Sequence, residues 1–179
     1  MGREAVNDIS SWSVSHASDG KTVAIGATGN DENGSNSGHT RVFQWNAGDA
    51  STPGAWVQMG VDIDGEAAFN QSGFSVSLSS DGKTVAIGAY GNDGNGSNSG
   101  QTRVFQWNAG DASTPGAWVQ MGVDIDGEAA GDYSGQSVSL SSDGKTVAIG
   151  AYGNDGNVHI CRCVRVVECS AGDSSTPAA

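Results

Sequence analysis

FSVSLSSDGKTVAIGAYGNDGNGSNSGQTRVFQW, residues 74–107, decides the fold because it occurs again on either side of itself. WSVSHASDGKTVAIGATGNDENGSNSGHTRVFQW fills 12–45, which lies 62 positions earlier, and QSVSLSSDGKTVAIGAYGNDGN fills 136–157, which lies 62 positions later. A fixed period of some tens of residues marks a repeat architecture, in which one supersecondary unit is stacked on copies of itself. The repeats are read as 4–65, 66–127 and 128–179, the last truncated and degenerate from 158.

Within a unit the apolar residues alternate in short runs, the period of a strand with one buried face. The run SVSL puts Val76 and Leu78 on one face and serines on the other; Val14 and Val138 repeat it, while His16 stands where the later copies have Leu78 and Leu140. Asp81-Gly82 follows, matched by Asp19-Gly20 and Asp143-Gly144. Asp-Gly between alternating hydrophobics is a strong hairpin signal. The returning run TVAIGA sets Val85 and Ile87 against Ala86 and Gly88. Such small residues let a neighbouring backbone approach. A polar loop from Tyr90 to Gly100 leads to QTRVFQW, with Arg103, Phe105 and Trp107 on one face. A loop with one proline per copy (Pro53, Pro115, Pro177) then precedes AWVQMGV, which starts at Ala117 in the second copy. Proline suits a turn there and would not suit a central strand.

Four hairpin-linked strands per period, with no helical periodicity, predict an all-β chain of tandem four-stranded β-propeller blades. The propeller is incomplete, because known propellers close with roughly four to eight blades. In the third copy VHICRCV at 158–164 replaces GSNSGQT, and the register returns at Arg165 with no change in length. Two compensating frame shifts would leave that form.

Twenty acidic against eight basic residues give a net charge of −12. Such a chain repels phosphate backbones, so nucleic acid is not an expected partner. No apolar run is long enough to span a bilayer, and the start MGREAVNDISSWSV lacks the layout of a signal peptide. Leu, Ile, Val and Phe make up less than a fifth of the chain. With this charge that would fit disorder. Here, however, they are concentrated in Val/Ile runs that favour strands, with the glycines between them in turns.

SGFSVSLSSDGKTVAIGA, a polar Asn/Asp/Gly loop, SGQTRVFQW and AWVQMG together resemble an FG-GAP repeat, the blade unit of the integrin alpha-chain propeller and of many bacterial and algal surface proteins. Gly73-Phe74 holds the FG pair in reversed order, and Gly26-Ala27, Gly88-Ala89 and Gly150-Ala151 hold the GA of GAP, with Thr28, Tyr90 and Tyr152 in place of its proline. The family's calcium loop ahead of the second strand is replaced by a bare SSDGK turn. The resemblance implies a β-propeller at the cell surface or outside the cell.

Asp31, Asn33, Asp93 and Asn95 in the polar loops, with Asp124, Asp126 and Glu128 in VDIDGE, offer oxygen ligands at alternate positions. Calcium takes six to eight oxygens, and Asp/Asn interleaved with glycine can wrap it. The same residue types also build turns. Calcium is thus the one cofactor to expect, with turn chemistry as the competing reading. His159, Cys161, Cys163 and Cys169 gather four soft groups, but Cys-x-Cys is unlike the usual zinc spacing. Cys169 holds the place of Trp45 and Trp107, and the frame shifts account for the cluster without a metal. Trp45, Trp56, Trp107 and Trp118 either fill the space between blades or stack on sugar rings.

No recurrent histidine, nucleophile elbow or phosphate loop is present, so no enzyme is expected. The expectation is a non-catalytic extracellular propeller module that binds a protein or glycan in adhesion, its other partners being further propeller repeats or a second copy. Two rivals are a structural surface-array repeat and an accessory domain of a secreted hydrolase.

Overall fold

The computed structural model describes residues 11–154 and 163–169. Each Asp-Gly pair closes a hairpin, with Gly20, Gly82 and Gly144 at φ of 67°, 69° and 72°, a region where glycine has no Cβ to clash. In the second copy Asp81 Oδ1 accepts from Lys83 N at 3.0 Å and from Ser79 Oγ at 2.7 Å, which fixes the turn.

The first sheet holds β1 (Ser13–His16), β2 (Thr22–Ala27), β3 (His39–Asn46), β4 (Ala55–Gln58) and β5 (Ile63–Asp64). The second holds β6 (Ser75–Leu78), β7 (Thr84–Ala89), β8 (Gln101–Asn108), β9 (Ala117–Gln120) and β10 (Ile125–Asp126). The third holds β11 (Ser134–Leu140), β12 (Thr146–Ala151) and β13 (Cys163–Glu168). Pairing within every sheet is antiparallel. These are tandem blades of an incomplete propeller, and the chain is all-β.

The outer strand differs from the continuous AWVQMGV run read from sequence. It breaks after Gln58, and the chain then returns to β3 as β5, pairing His39 with Asp64. Gly60 and Gly122, at φ of 73° and 70°, supply the break in both full copies. The kink carries Asp62 and Asp124 to the end of the blade.

Each blade has one broad face and one face of small residues. Val76, Leu78, Val85, Ile87 and Phe105 form the broad face of the second blade and pack with Ala24, Val42, Met59 and Ile63 of the first. The same contact recurs one blade on, where Ala86 and Val104 meet Val147 and Ile149, flanked by Val138 and Leu140. Burying such a side chain fully contributes roughly 1.5–3 kcal/mol, and the buried clusters draw their residues from adjacent sheets, so the core lies between sheets.

Serines on the small-residue face tie one blade to the next. Ser13 Oγ donates to Gly73 O and Ser75 Oγ to Gly135 O, each at 2.7 Å. Ser15 Oγ accepts from Leu78 N at 3.0 Å, and Ser77 Oγ from Leu140 N at 2.9 Å.

Candidate functional site

At one end of the first blade, four side chains from three segments converge. His39 opens β3, Asp64 lies directly opposite it in β5, Asp62 sits in the kink before β5, and Glu32 comes from the loop after β2. One ligand atom from each lies within 4.8 Å of all the others. The loop is held there by two bonds: Glu32 N donates to Asn30 Oδ1, and Asn33 Nδ2 donates to Gly65 O, both at 3.0 Å.

His39 is buried at 2 % exposure, with Nδ1 3.7 Å from Asp62 Oδ2. Arg41 Nε donates to the same oxygen at 2.8 Å, and Gln58 Nε2 donates to Asp62 Oδ1 at 2.6 Å. Burial, then the charges of Glu32 and Asp62, push the Asp64 carboxyl above its ordinary value, against the pull of His39 and Arg41. An imidazole and three carboxylates within this distance can hold a cation or share a proton.

The second blade repeats the frame without the full set. Gly94 stands for Glu32 and Gln101 for His39, while Asp124 and Asp126 remain. Gln101 Nε2 donates to Glu66 Oε2 at 3.2 Å, and Gln120 Nε2 to Asp124 Oδ1 at 2.7 Å. Burial, then Asp124 and Glu66, push the Asp126 carboxyl up.

The loop residues singled out as calcium ligands are tied into the loops themselves. Asp31 Oδ1 accepts from Asn36 N and Asp93 Oδ1 from Asn98 N, each at 2.7 Å. Asn95 Nδ2 donates to Gly127 O and Glu128 O at 3.0 Å, as Asn33 does to Gly65. The structure therefore brings Asn95 against the Glu128 backbone, and Asp124 near Asp126. Asp31 is not among the acidic and histidine side chains that converge around His39. Sequence reasoning missed Glu32, His39, Asp62 and Asp64. The available signal was the pair of departures at 32 and 39 between two otherwise closely matching copies.

His159 and Cys161 of the cysteine-rich stretch lie outside the described residues. Cys169 packs at the edge of the core between the second and third sheets, and burial pushes its thiol up. Its N donates to Lys145 O, as Trp45 N does to Lys21 O and Trp107 N to Lys83 O, so it holds the tryptophan position.

At the outer rim a groove of about 850 Å³ runs between the first two blades, lined among others by Gln44, Val57, Met59, Gly60, Trp107 and Gly116. A smaller one of about 540 Å³ lies one repeat on, by Gln106, Val119 and Met121. The four tryptophans fall into two pairs with different surroundings. Trp107 and Trp118 pack against the first interblade core, with Trp118 Nε1 donating to Met59 O at 2.9 Å. Trp45 and Trp56, stacked edge-on at 5.6 Å, are exposed on the broad face of the first blade.

Residues 61–105 and 123–159 match the family model described as FG-GAP repeat. No curated protein matches the chain significantly. Among solved structures, the chain is similar to hydrazine synthase of Kuenenia stuttgartiensis, with 13 % identity and a TM-score of 0.49 over 89 % of this chain and 45 % of that one. It is also similar to Sqt1 from Chaetomium thermophilum, with 14 % identity and a TM-score of 0.45 over 96 % of this chain and 38 % of that one. The chain thus spans less than half the length of either solved chain.

Proposed function

This is an FG-GAP repeat protein, and on that premise we propose a non-catalytic extracellular propeller module that holds a neutral glycan in the rim groove between blades. The observation that carries this reading is the lining of the groove: the Trp107 indole, the Gln44 amide and aliphatic Val57 and Met59, with no Asp or Glu among the lining residues. An indole offers an apolar face for the C–H side of a sugar ring, and amides donate to and accept from hydroxyls. Glycoside hydrolysis uses a pair of flanking carboxyl groups, so a groove without them suits holding rather than cleaving. The repeat sets a second groove one blade on, as an extended chain would require.

A panel of soluble neutral oligosaccharides, titrated while tryptophan fluorescence is followed, tests this. A saturable change is expected with at least one member, lost in Val57→Glu and in Gln44→Ala. Absence of saturable binding across the panel would remove the glycan from the reading.

A second reading of partners rests on a different surface. The broad face of the first blade exposes Val14 at 69 % and Trp56 at 48 %. In the two internal interfaces such a face packs on the small-residue face of another blade, which supports the same kind of occupant here. That blade comes from further repeats or from a second copy of the chain.

A further inference from the structure

We infer that the first blade binds one divalent transition-metal ion of the manganese–zinc class between Glu32, His39, Asp62 and Asp64, at a site the second blade lacks. The four ligand atoms already lie within 4.8 Å of one another, so an ion needs no rearrangement of the backbone to reach them all. Asp64 adds an independent observation. Its Oδ1 is shut from solvent and has no hydrogen-bond partner among the described residues. A buried carboxylate oxygen left in that state is costly, and a metal ion satisfies it.

The donor set selects the class of ion. Calcium and magnesium prefer oxygen alone, whereas one imidazole among carboxylates suits manganese or zinc. Charge agrees with this. Glu32, Asp62 and Asp64 carry three negative charges and the Arg41 guanidinium, 2.8 Å from Asp62, offsets one. With His39 neutral the remainder matches a dication. Glu32 is exposed, which leaves a solvent side for entry and for water to complete the shell.

The rival account is a protonated His39 acting as counter-ion to Asp62 and Asp64, with no metal. It predicts stability that responds to pH and not to metal. The second blade supplies the controls, because its own residues at these positions already fit the same backbone.

Manganese is the probe, since it has little affinity for the cysteine thiols. The chelator-treated full chain is titrated with Mn²⁺, and binding is read from loss of the free-ion paramagnetic resonance signal. One ion per chain is expected. The double variant Glu32→Gly, His39→Gln, which copies Gly94 and Gln101, should bind at least about 100-fold more weakly, the upper end of what losing a mere supporting partner costs. The reverse pair, Gly94→Glu with Gln101→His, should raise the count to two. Zn²⁺ added to the unaltered chain should shift the one set of imidazole NMR signals that disappears in His39→Gln. No Mn²⁺ binding by the unaltered chain, or undiminished binding by the double variant, would overturn the assignment. So would Zn²⁺ that leaves the His39 signals unmoved. If the reverse pair does not fold, the loss variant and the NMR signals decide.

Discussion

Gly26 lies so close to Gly73 that a Cβ on it would stand 2.0 Å from the Gly73 carbonyl oxygen. One copy on, Gly88 stands in the same relation to Gly135, also at 2.0 Å. These glycines let the inner end of each blade touch the next, and Ser13 and Ser75 bond the same two carbonyls.

Gly88→Ala should therefore separate the second and third blades. The blocking atom is backbone, which cannot rotate away, so the cost should reach or exceed the roughly 1–3 kcal/mol usual for overpacking. Gly150→Ala is the control: there a Cβ would meet only the end of the Ser137 side chain, at 2.3 Å, which can turn aside. Urea midpoints of the two variants should differ clearly. Equal midpoints would show that the interface gives way at no cost.

Chemically equal tryptophans should respond unequally to substitution. Trp118→Phe removes the bond to the Met59 carbonyl and leaves that oxygen in a partly closed interface, costing about 1 kcal/mol. At this chain length that lowers Tm by roughly 2–4 °C. Trp56→Phe, on the exposed broad face, should stay within about 0.5 kcal/mol of the unaltered chain. Matched thermal melts check both, and an equal loss at the two positions would contradict the packing described.

The Asp81 turn should give the second blade an acid-sensitive element. Partial burial pushes its carboxyl up, but the bonds from Ser79 Oγ and Lys83 N, with the Lys83 charge, outweigh this and hold it below 3.8. A depressed folded value means that the stabilisation is present above the unfolded value and is lost as pH falls through the folded one. Asp81→Ala should cost a few tenths to about 1 kcal/mol at neutral pH, kept small by solvent screening. The gap from the unaltered chain should begin to shrink as pH falls towards 3.8, where an unperturbed carboxylate is half protonated, and should close once pH lies below the depressed folded value. Urea titrations on either side of that pH would show it. A gap that persists in acid would assign the loss to something other than the charge.

Association should depend on the broad face of the first blade. Val14 and Trp56 form an apolar surface of the kind that each internal interface covers. Light scattering over a range of concentrations should report growth in mass, suppressed in Val14→Asp and in Trp56→Lys. A mass independent of concentration for the unaltered chain would mean that this face needs no second copy.

TVAIGA shows where sequence stops and tertiary structure takes over. The hexapeptide is identical in all three copies, and alternation together with the Asp-Gly turn dictates a strand each time. Its burial differs in every copy. In β2 the alanine and glycine face is buried and Val23 and Ile25 are half-open; in β7 all six residues are buried; in β12 Val147 and Ile149 are buried while Ala148 and Gly150 are half-open. The period, the hairpins, the small residues at the contact and the all-β class are local or repeated properties, so they are written in the residues themselves. Which face is covered depends on what stands beside it, and identical residues carry no record of that. The metal cluster follows the same division. Glu32 and His39 are visible as departures from the second copy. Their meeting with Asp62 and Asp64 depends on the Gly60 kink, which breaks the outer strand and turns β5 back onto β3, a non-local pairing that no short-range pattern encodes.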